Sequence, residues 1–184
     1  APANMDVVLP QPWRAAWLLR AMAVLDNTHR GHQRPRPLGF ILTEVCERLA
    51  AEARLSGFTF TVHASDWNAP VAVDESALVT GLTGAVFGTL GLVARTDGVT
   101  IRLSASAAAG ELRSVEVVQE DVVVAPSIAG RFFDPLWPER PGGWVAGLGA
   151  STARGVAQHQ GGSAAFLAGE RRGTTLRLNF VQPM

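Results

Sequence analysis

Four glycines recur within one apolar stretch, residues 75–93, and they constrain the fold more than any other feature of the sequence. The stretch has helical spacing, with one side formed by Leu78, Leu82, Ala85, Val86, Thr89 and Val93. The glycines lie opposite, within an arc of about 80°: Gly81, Gly84, Gly88 and Gly91. They cost the helix about 3–4 kcal/mol relative to alanine, so the fold must offset that cost.

Three interpretations of the glycine stripe remain open at this point. The stripe admits another backbone or a large side chain at close range, because glycine has no Cβ. Alternatively, it leaves a smooth cleft for a ligand or for a residue inserted by a partner. The third interpretation is drift under relaxed selection.

The rest of the chain alternates between helix and strand patterns. Helices are predicted over residues 13–26, 38–55, 127–133 and 148–159, and strands over 58–63, 70–74, 99–106, 112–120, 164–168 and 174–180. Prolines predict an irregular arm over 1–12 and a linker over 27–37. The pattern predicts an α+β two-layer sandwich, in which a mixed, mostly antiparallel sheet is covered by helices on one face. We divide the chain into an N-terminal part, 1–35, and a folded domain, 36–184.

Composition excludes several classes of partner. Sixteen basic and sixteen acidic residues cancel, so the sequence has no electrostatic footprint for nucleic acid or an anionic membrane. No apolar run reaches about 18 residues, which argues against membrane insertion and leads us to expect a soluble, cytoplasmic protein. The single Cys46 excludes an internal disulfide, and its helical context favours a buried apolar role.

Few side chains fit a familiar catalytic pattern. The four histidines, His29, His32, His63 and His159, lack the spacing of metal ligands. Neither a nucleophile elbow nor a Walker loop is present, which argues against hydrolase and P-loop chemistry. Gly147-Leu-Gly149 stands at the predicted start of the helix 148–159, where free N–H groups and the helix dipole favour an anion.

From Leu38 onward, the order of motifs resembles the ATP-binding catalytic domain of bacterial sensor histidine kinases, in the GHKL or Bergerat-fold superfamily. The matching motifs, in order, are Pro70-Val-Ala-Val-Asp74, Phe133-Asp-Pro135, Gly147-Leu-Gly149, Gly161-Gly162 and Gly173-Thr-Thr-Leu-Arg-Leu178. The resemblance covers residues 36–181 and implies the sandwich fold and a role in signalling. It also makes residues 13–26 look like the tail of the family's dimerisation helix.

The resemblance places an altered magnesium box on the helix 75–93. The family carries two Asn residues and a basic residue there, and the second Asn holds the magnesium ion that bridges the ATP phosphates. This sequence has Gly84 and Gly88 at the Asn positions and Gly91 at the basic position. Because Mg²⁺ requires oxygen ligands, we expect no metal site here. The close-approach interpretation of the stripe then means that packing fills the space that ATP occupies in active relatives.

The family's adenine box, Asp-x-Gly-x-Gly, is also altered. Its three positions carry Gln119, Asp121 and Val123, and the run 122–124 looks like an extended strand. Gln119 retains the capacity to accept a hydrogen bond, whereas Val123 disfavours a glycine-like turn. With Gly147, Leu148 and Gly149 on the phosphate side, Gln119 completes a vestigial nucleotide site.

The resemblance also bears on two tryptophans and on two histidines. Trp137 and Trp144 bracket a loop that corresponds to the family's mobile lid, and we predict that they pack down as a cap rather than stand exposed as partner-binding anchors. His32-Gln-Arg-Pro-Arg-Pro-Leu38 faintly resembles the family's phosphoacceptor box, but its prolines break a helix, so we do not expect phosphorylation of His32 or His29.

These residues lead to one main functional hypothesis. The chain is a degenerate histidine-kinase ATP-binding domain, inactive alone, that acts through contacts with a response-regulator receiver, a kinase core or an identical chain. It would use no cofactor. The alternatives are a functional histidine kinase fragment that binds ATP or ADP without strong magnesium binding, and a histidine phosphotransferase on a kinase-like scaffold.

Overall fold

The computed structural model describes residues 10–26, 31–93, 98–108, 111–169 and 173–180. Its helices are α1 (Pro10–Leu25), α2 (Leu38–Ser56), α3 (Glu75–Leu90), α4 (Pro126–Gly130) and α5 (Gly143–His159). Its strands are β1 (Arg34–Pro37), β2 (Thr59–Ala64), β3 (Pro70–Val73), β4 (Thr100–Ala108), β5 (Glu111–Gln119), β6 (Ser163–Ala168) and β7 (Thr174–Asn179).

The main sheet has five strands in the order β2-β4-β5-β7-β6, and a smaller sheet pairs β1 with β3. The β2–β4 pair is parallel and the other main-sheet pairs are antiparallel. Alternate residues such as Leu103, Val117 and Leu176 are fully buried and join the core. Most of their neighbours along the strands are polar, and Arg177 of β7 donates from Nε to Glu116 Oε1 of β5 at 2.6 Å. The predicted α+β sandwich with a mixed, mostly antiparallel sheet is therefore confirmed.

The predicted linker over residues 27–37 is wrong at its C-terminal end. Residues 34–37 form β1, which pairs antiparallel with β3. A strand containing two prolines is possible because β1 pairs on one side only in a two-stranded sheet, so a missing N–H need not interrupt a ladder. Residues 27–30 lie outside the described residues, as do residues 1–9 of the arm predicted over 1–12. The prediction is wrong for residues 10–12, which begin α1.

Helix α5 begins five residues earlier than the sequence suggested. The chain enters it through Gly142 and Gly143, at φ angles of 76° and 67°, and the helix runs on through Trp144 to His159. The predicted start at Gly147-Leu-Gly149 follows the order that the resemblance implies, a Gly-x-Gly turn and then a helix. Here both glycines lie inside the helix, where Gly149 faces α3 and Gly147 faces the loop residues Pro135 and Arg140.

Helices α3 and α5 pack against each other along the glycine stripe, in antiparallel directions. A Cβ added at Gly84 would lie 2.6 Å from Gly149 O, and one added at Gly149 would lie 2.4 Å from Gly84 O. At the flanking glycines, added Cβ atoms would lie close to side chains: 2.9 Å from Val156 at Gly81, 3.2 Å from Ala150 at Gly88 and 2.6 Å from Ala146 at Gly91. The close-approach interpretation of the stripe is therefore confirmed. At Gly84 the backbones of the two helices are in contact, and at the other three glycines side chains of α5 occupy the space beside α3. We call this contact the glycine seam.

Helix α1 contributes to the same core. Trp17 is buried, and its indole N–H donates to Thr80 O of α3 at 3.1 Å. The rings of Trp13 and Trp17 meet Phe87 edge-on, with centroids 6.0 and 5.1 Å away. Arg14 binds the Glu52 carboxylate of α2 with Nε and Nη2. The division of the chain at residue 35 stays a prediction, but α1 lies against the domain along one side.

The glycine seam predicts that Gly84→Ala destabilises the fold. The new Cβ would clash with the carbonyl of Gly149, and both partners are backbone atoms that move only with their helices. We expect a loss of about 2–3 kcal/mol in the free energy of unfolding, measured by urea denaturation.

Gly130→Ala is the matched control for Gly84→Ala. Among the described residues, nothing lies within 4 Å of a Cβ added at Gly130. We expect this variant to stay within about 0.5 kcal/mol of the parent. A Gly84→Ala variant as stable as the Gly130→Ala variant would contradict the backbone contact.

Candidate functional site

The residues that the sequence assigned to a nucleotide site divide between the glycine seam and the end of β5. Gly84 and Gly88, at the positions of the family's two Asn residues, face α5 in the seam. Glycine offers no side-chain oxygen, and the described residues contain no group of three His, Cys, Asp or Glu side chains that could hold a metal ion. The described structure therefore has no side-chain oxygen from Gly84 or Gly88 at the two positions where the family carries Asn.

The prediction for Gly147, Leu148 and Gly149 assumed that these residues start a helix and could bind a phosphate there. The structure starts the helix earlier, at Gly143. Only the first four N–H groups of a helix lack an intrahelical partner. In α5 these belong to residues 142–145, whereas Gly147 and Gly149 lie further along the helix and are buried. Their N–H groups take part in the helix, so they do not form an anion-binding helix start.

Gly147 instead accommodates the lid-like loop. A Cβ added at Gly147 would lie 3.2 Å from Arg140 Cδ and 3.2 Å from Pro135 O. The glycine therefore lets the loop and its arginine pack closely on the side of α5. This is the same physical property that the sequence argument assigned to phosphate approach, used here for packing within the chain.

Arg140 is the most unusual charged side chain of this region. It is 5% exposed, donates from Nη1 to Phe132 O, and lies with its guanidinium 4.9 Å from the Phe132 ring centroid. Its Nε and Nη2 atoms are buried and have no hydrogen-bond partner within the described part of the chain. Burial lowers the pKa of the Arg140 guanidinium, and the negative charge of Asp134 opposes that shift. Sequence reasoning missed this residue because nothing in a Pro- and Gly-rich loop predicts which arginine is buried.

The aromatic pair before the loop anchors its start. Phe132 is fully buried and stacks on Phe166 of β6, with ring centroids 3.8 Å apart and planes at 7°. Ser151 of α5 donates to Phe133 O at 2.9 Å. Asp134 accepts hydrogen bonds from Leu136 N and Arg131 Nη2, and the bond from Arg131 lowers the pKa of its carboxyl group. These contacts hold the loop against β6 and α5.

The prediction that both lid tryptophans pack down is wrong for Trp144. Trp137 is half-buried and lies under the Arg131 guanidinium, whose Cζ is 4.9 Å from its ring centroid. Trp144 is 64% exposed, and Leu136 of the same region is 85% exposed. The difference arises because α5 begins at Gly143, which places Trp144 on the first helical turn and directs it away from the core.

Gln119 ends β5 and is turned into the protein interior. It is 1% exposed, and neither atom of its amide has a hydrogen-bond partner among the described residues. Its cross-strand neighbour is Thr174 of β7, whose hydroxyl is equally buried and unpaired there. The two form a small polar island at the end of the sheet.

The residues that follow Gln119 differ from the prediction. The run 122–124 is irregular rather than an extended strand, although Gly173 N–H donates to Val122 O at 2.8 Å. Asp121 is exposed, and Val123 points into solvent with 71% of its surface exposed. Of the three positions of the adenine box, Gln119 is therefore buried, whereas Asp121 and Val123 are exposed.

The histidines do not form a site. His32, His63 and His159 are exposed, and His29 lies outside the described residues. Cys46 is half-buried and free, and burial raises the pKa of its thiol. No helix that the structure describes is long and apolar enough to cross a membrane.

Comparison with known proteins gives a likeness of structure alone. No protein-family model matches the chain, and no curated protein matches it. The ATP-binding domain of PrrB from Mycobacterium tuberculosis is similar, with a TM-score of 0.61 and 16% identity, over 83% of this chain and 98% of that one. ShkA, solved with AMPPNP, has a TM-score of 0.63 and 19% identity, over 91% of this chain and 36% of its own.

The histidine kinase ThkA is also similar. Its complex with the response regulator TrrA gives a TM-score of 0.64 and 12% identity, over 98% of this chain and 51% of the ThkA chain. In all three cases the likeness covers more than four fifths of this chain. This chain therefore has the GHKL fold of histidine-kinase ATP-binding catalytic domains.

Proposed function

We propose that this chain is a module of bacterial two-component signal transduction that has lost Mg-ATP catalysis and acts in the cytoplasm through protein contacts. The observation that carries the proposal is the backbone contact between Gly84 and Gly149 in the glycine seam. Gly84 stands at the first of the two Asn positions that the resemblance gives, and there α5 leaves no room for a Cβ. At Gly88, the position of the magnesium-binding Asn, an added Cβ would lie 3.2 Å from the Ala150 Cβ. A phosphate–magnesium pair cannot enter that contact unless the two helices separate.

The runner-up, a kinase fragment that binds ATP unconventionally, would depend on Gly147, Gly149 and Gln119. The N–H groups of the two glycines belong to the interior of α5, and the Gln119 amide is buried. Both placements favour the proposal over this alternative.

Calorimetric titration with ATP and ADP, with and without Mg²⁺, tests the loss of nucleotide binding. We expect no saturable heat, because binding would have to break the glycine seam. ShkA, which was solved with AMPPNP, serves as a positive control under the same conditions. Binding tighter than about 100 µM, or roughly −5.5 kcal/mol, would overturn the proposal.

The exposed apolar residues of the lid region are the surface that we propose for protein contact. Leu136 and Trp144 flank the loop that packs on Gly147, and both extend into solvent. Large apolar side chains at the centre of an interface often dominate binding energy. ThkA, a protein of the same fold, has been solved with a response regulator, which supports a receiver domain as the partner over a kinase core or an identical chain.

Trp144→Ser should weaken binding to the receiver without unfolding the protein. Receiver domains from the source organism would be titrated against the full chain, with affinity measured by biolayer interferometry. For the receiver that binds the parent chain, we expect Trp144→Ser to weaken the affinity by more than about tenfold. Leu55→Ser is the control, since Leu55 is similarly exposed but lies at the end of α2. Equal binding by both variants would remove the lid region from the interface.

The phosphotransferase alternative predicts a phosphorylated histidine. Incubation of the chain with a phosphorylated receiver, or with an active kinase, should leave no acid-labile label, because β1 begins two residues after His32 and none of the helices that the structure describes contains this histidine. A label that disappears in His32→Ala but persists in His63→Ala would support this alternative instead.

A further inference from the structure

A cavity of about 300 Å³ lies where α1, the end of α3 and the first turn of α5 meet. Its walls are mostly apolar and include Phe58, Phe87, Leu90, Val145 and Ala146. Phe58, Phe87, Leu90 and Ala146 are themselves buried, so they form firm walls rather than mobile surface groups. The glycine seam ends here, because Gly91 and Gly142 also border the cavity.

One end of the cavity is charged. Arg14 and Glu52 line it, and Arg14 binds both carboxylate oxygens of Glu52 through Nε and Nη2. Glu52 is 7% exposed and also accepts a hydrogen bond from Ser56. An arginine has five N–H donors, so two bonds to Glu52 leave donors on Arg14. The Arg14 side chain is 44% exposed, which places it at the mouth of the cavity.

We propose that this cavity binds a small amphipathic carboxylate. Its apolar body would lie against Phe87 and Leu90, and its carboxylate would accept hydrogen bonds from Arg14. The volume falls at the lower end of the range for small-molecule sites, about 300–1,000 Å³. Binding would replace water against apolar walls and add a charge-assisted hydrogen bond at the mouth.

The chemistry of the walls favours a monoanion with an apolar body over inorganic phosphate or a nucleotide phosphate. A doubly charged phosphate needs several donors and little apolar surface, whereas the charged end offers one arginine already paired with Glu52. A neutral apolar ligand would fit the walls but would not use Arg14.

The site would connect three elements through one ligand. The ligand would touch Arg14 on α1, Phe87 and Leu90 on α3, and Val145 on α5. A ligand that binds only when these elements are together stabilises that arrangement by its own binding free energy. Occupancy would therefore hold α1 on the domain, whether or not the proposed receiver contact exists.

The test uses the full chain and two probes, 4-phenylbutyrate and its neutral amide, with inorganic phosphate as a third titrant. The readout is the indole N–H signal of Trp17 in nitrogen-15 NMR, since Trp17 donates to Thr80 O and its ring contacts Phe87. We expect saturable shifts from the carboxylate with a dissociation constant below about 1 mM, and at least tenfold weaker binding of the amide.

Variants locate the binding site. Val145→Phe should fill the cavity, and Arg14→Met/Glu52→Gln should remove the guanidinium without leaving a buried carboxylate unpaired. Each should weaken carboxylate binding at least tenfold while retaining the dispersed spectrum of the folded protein. Arg48→Met is the control, because Arg48 has similar exposure and its own carboxylate partner, Glu44, but does not line the cavity.

Several results would overturn the proposal. One is the lack of a saturable shift up to about 10 mM carboxylate, which is an order of magnitude above the expected dissociation constant. Equal binding of the acid and the amide, or equal shifts from phosphate alone, would also contradict it. Unchanged carboxylate binding in both cavity variants, or loss of binding in Arg48→Met, would also overturn it.

Discussion

The backbone contact between Gly84 and Gly149 is the constraint on which the rest of the structure depends. Two helices approach this closely only where neither carries a Cβ, and the seam continues through Gly81, Gly88 and Gly91. Because α5 lies along the whole stripe, it must begin as early as Gly143. That early start places Trp144 in solvent and Gly147 beneath the lid loop. Packing along the seam also offsets the free energy that the four glycines cost the helix. Alanine side chains would prevent that packing.

In the region of the lid-like loop, a glycine that matches the family's motif has a packing role. Gly147 fits the family pattern in sequence, yet its missing side chain accommodates Arg140 and Pro135. Arg140 is buried, and its Nε and Nη2 atoms have no hydrogen-bond partner within the residues that the structure describes, an arrangement that costs free energy. Contacts around Phe132 and Phe133 must offset that cost, because they hold the loop against β6 and α5. The loop is therefore part of the packed domain at its start and exposed at Leu136.

Much of the fold could be predicted from local pattern. Gly57 ends α2 at a φ of 75°, as its position after an apolar-periodic stretch suggested, and Asp74 begins α3 with a side-chain bond to Ala77 N. Period-two alternation located every strand of the main sheet to within two residues. β1 was missed because two prolines conceal a strand that needs bonds on one edge only. The Arg14–Glu52 pair was missed because no local pattern relates residues so far apart in the chain.

The sequence by itself determined the α+β class, the strand order along the chain and the absence of amide and basic side chains from residues 75–93. These follow from periodicity and residue identity, which act over a few neighbours. Only the tertiary structure decided what fills the space beside the glycines and which side chains are buried near it. A glycine permits close approach without specifying the partner, and the partner here, α5, lies more than fifty residues away. Packing between distant elements, not local propensity, therefore separates a closed seam from an open cleft.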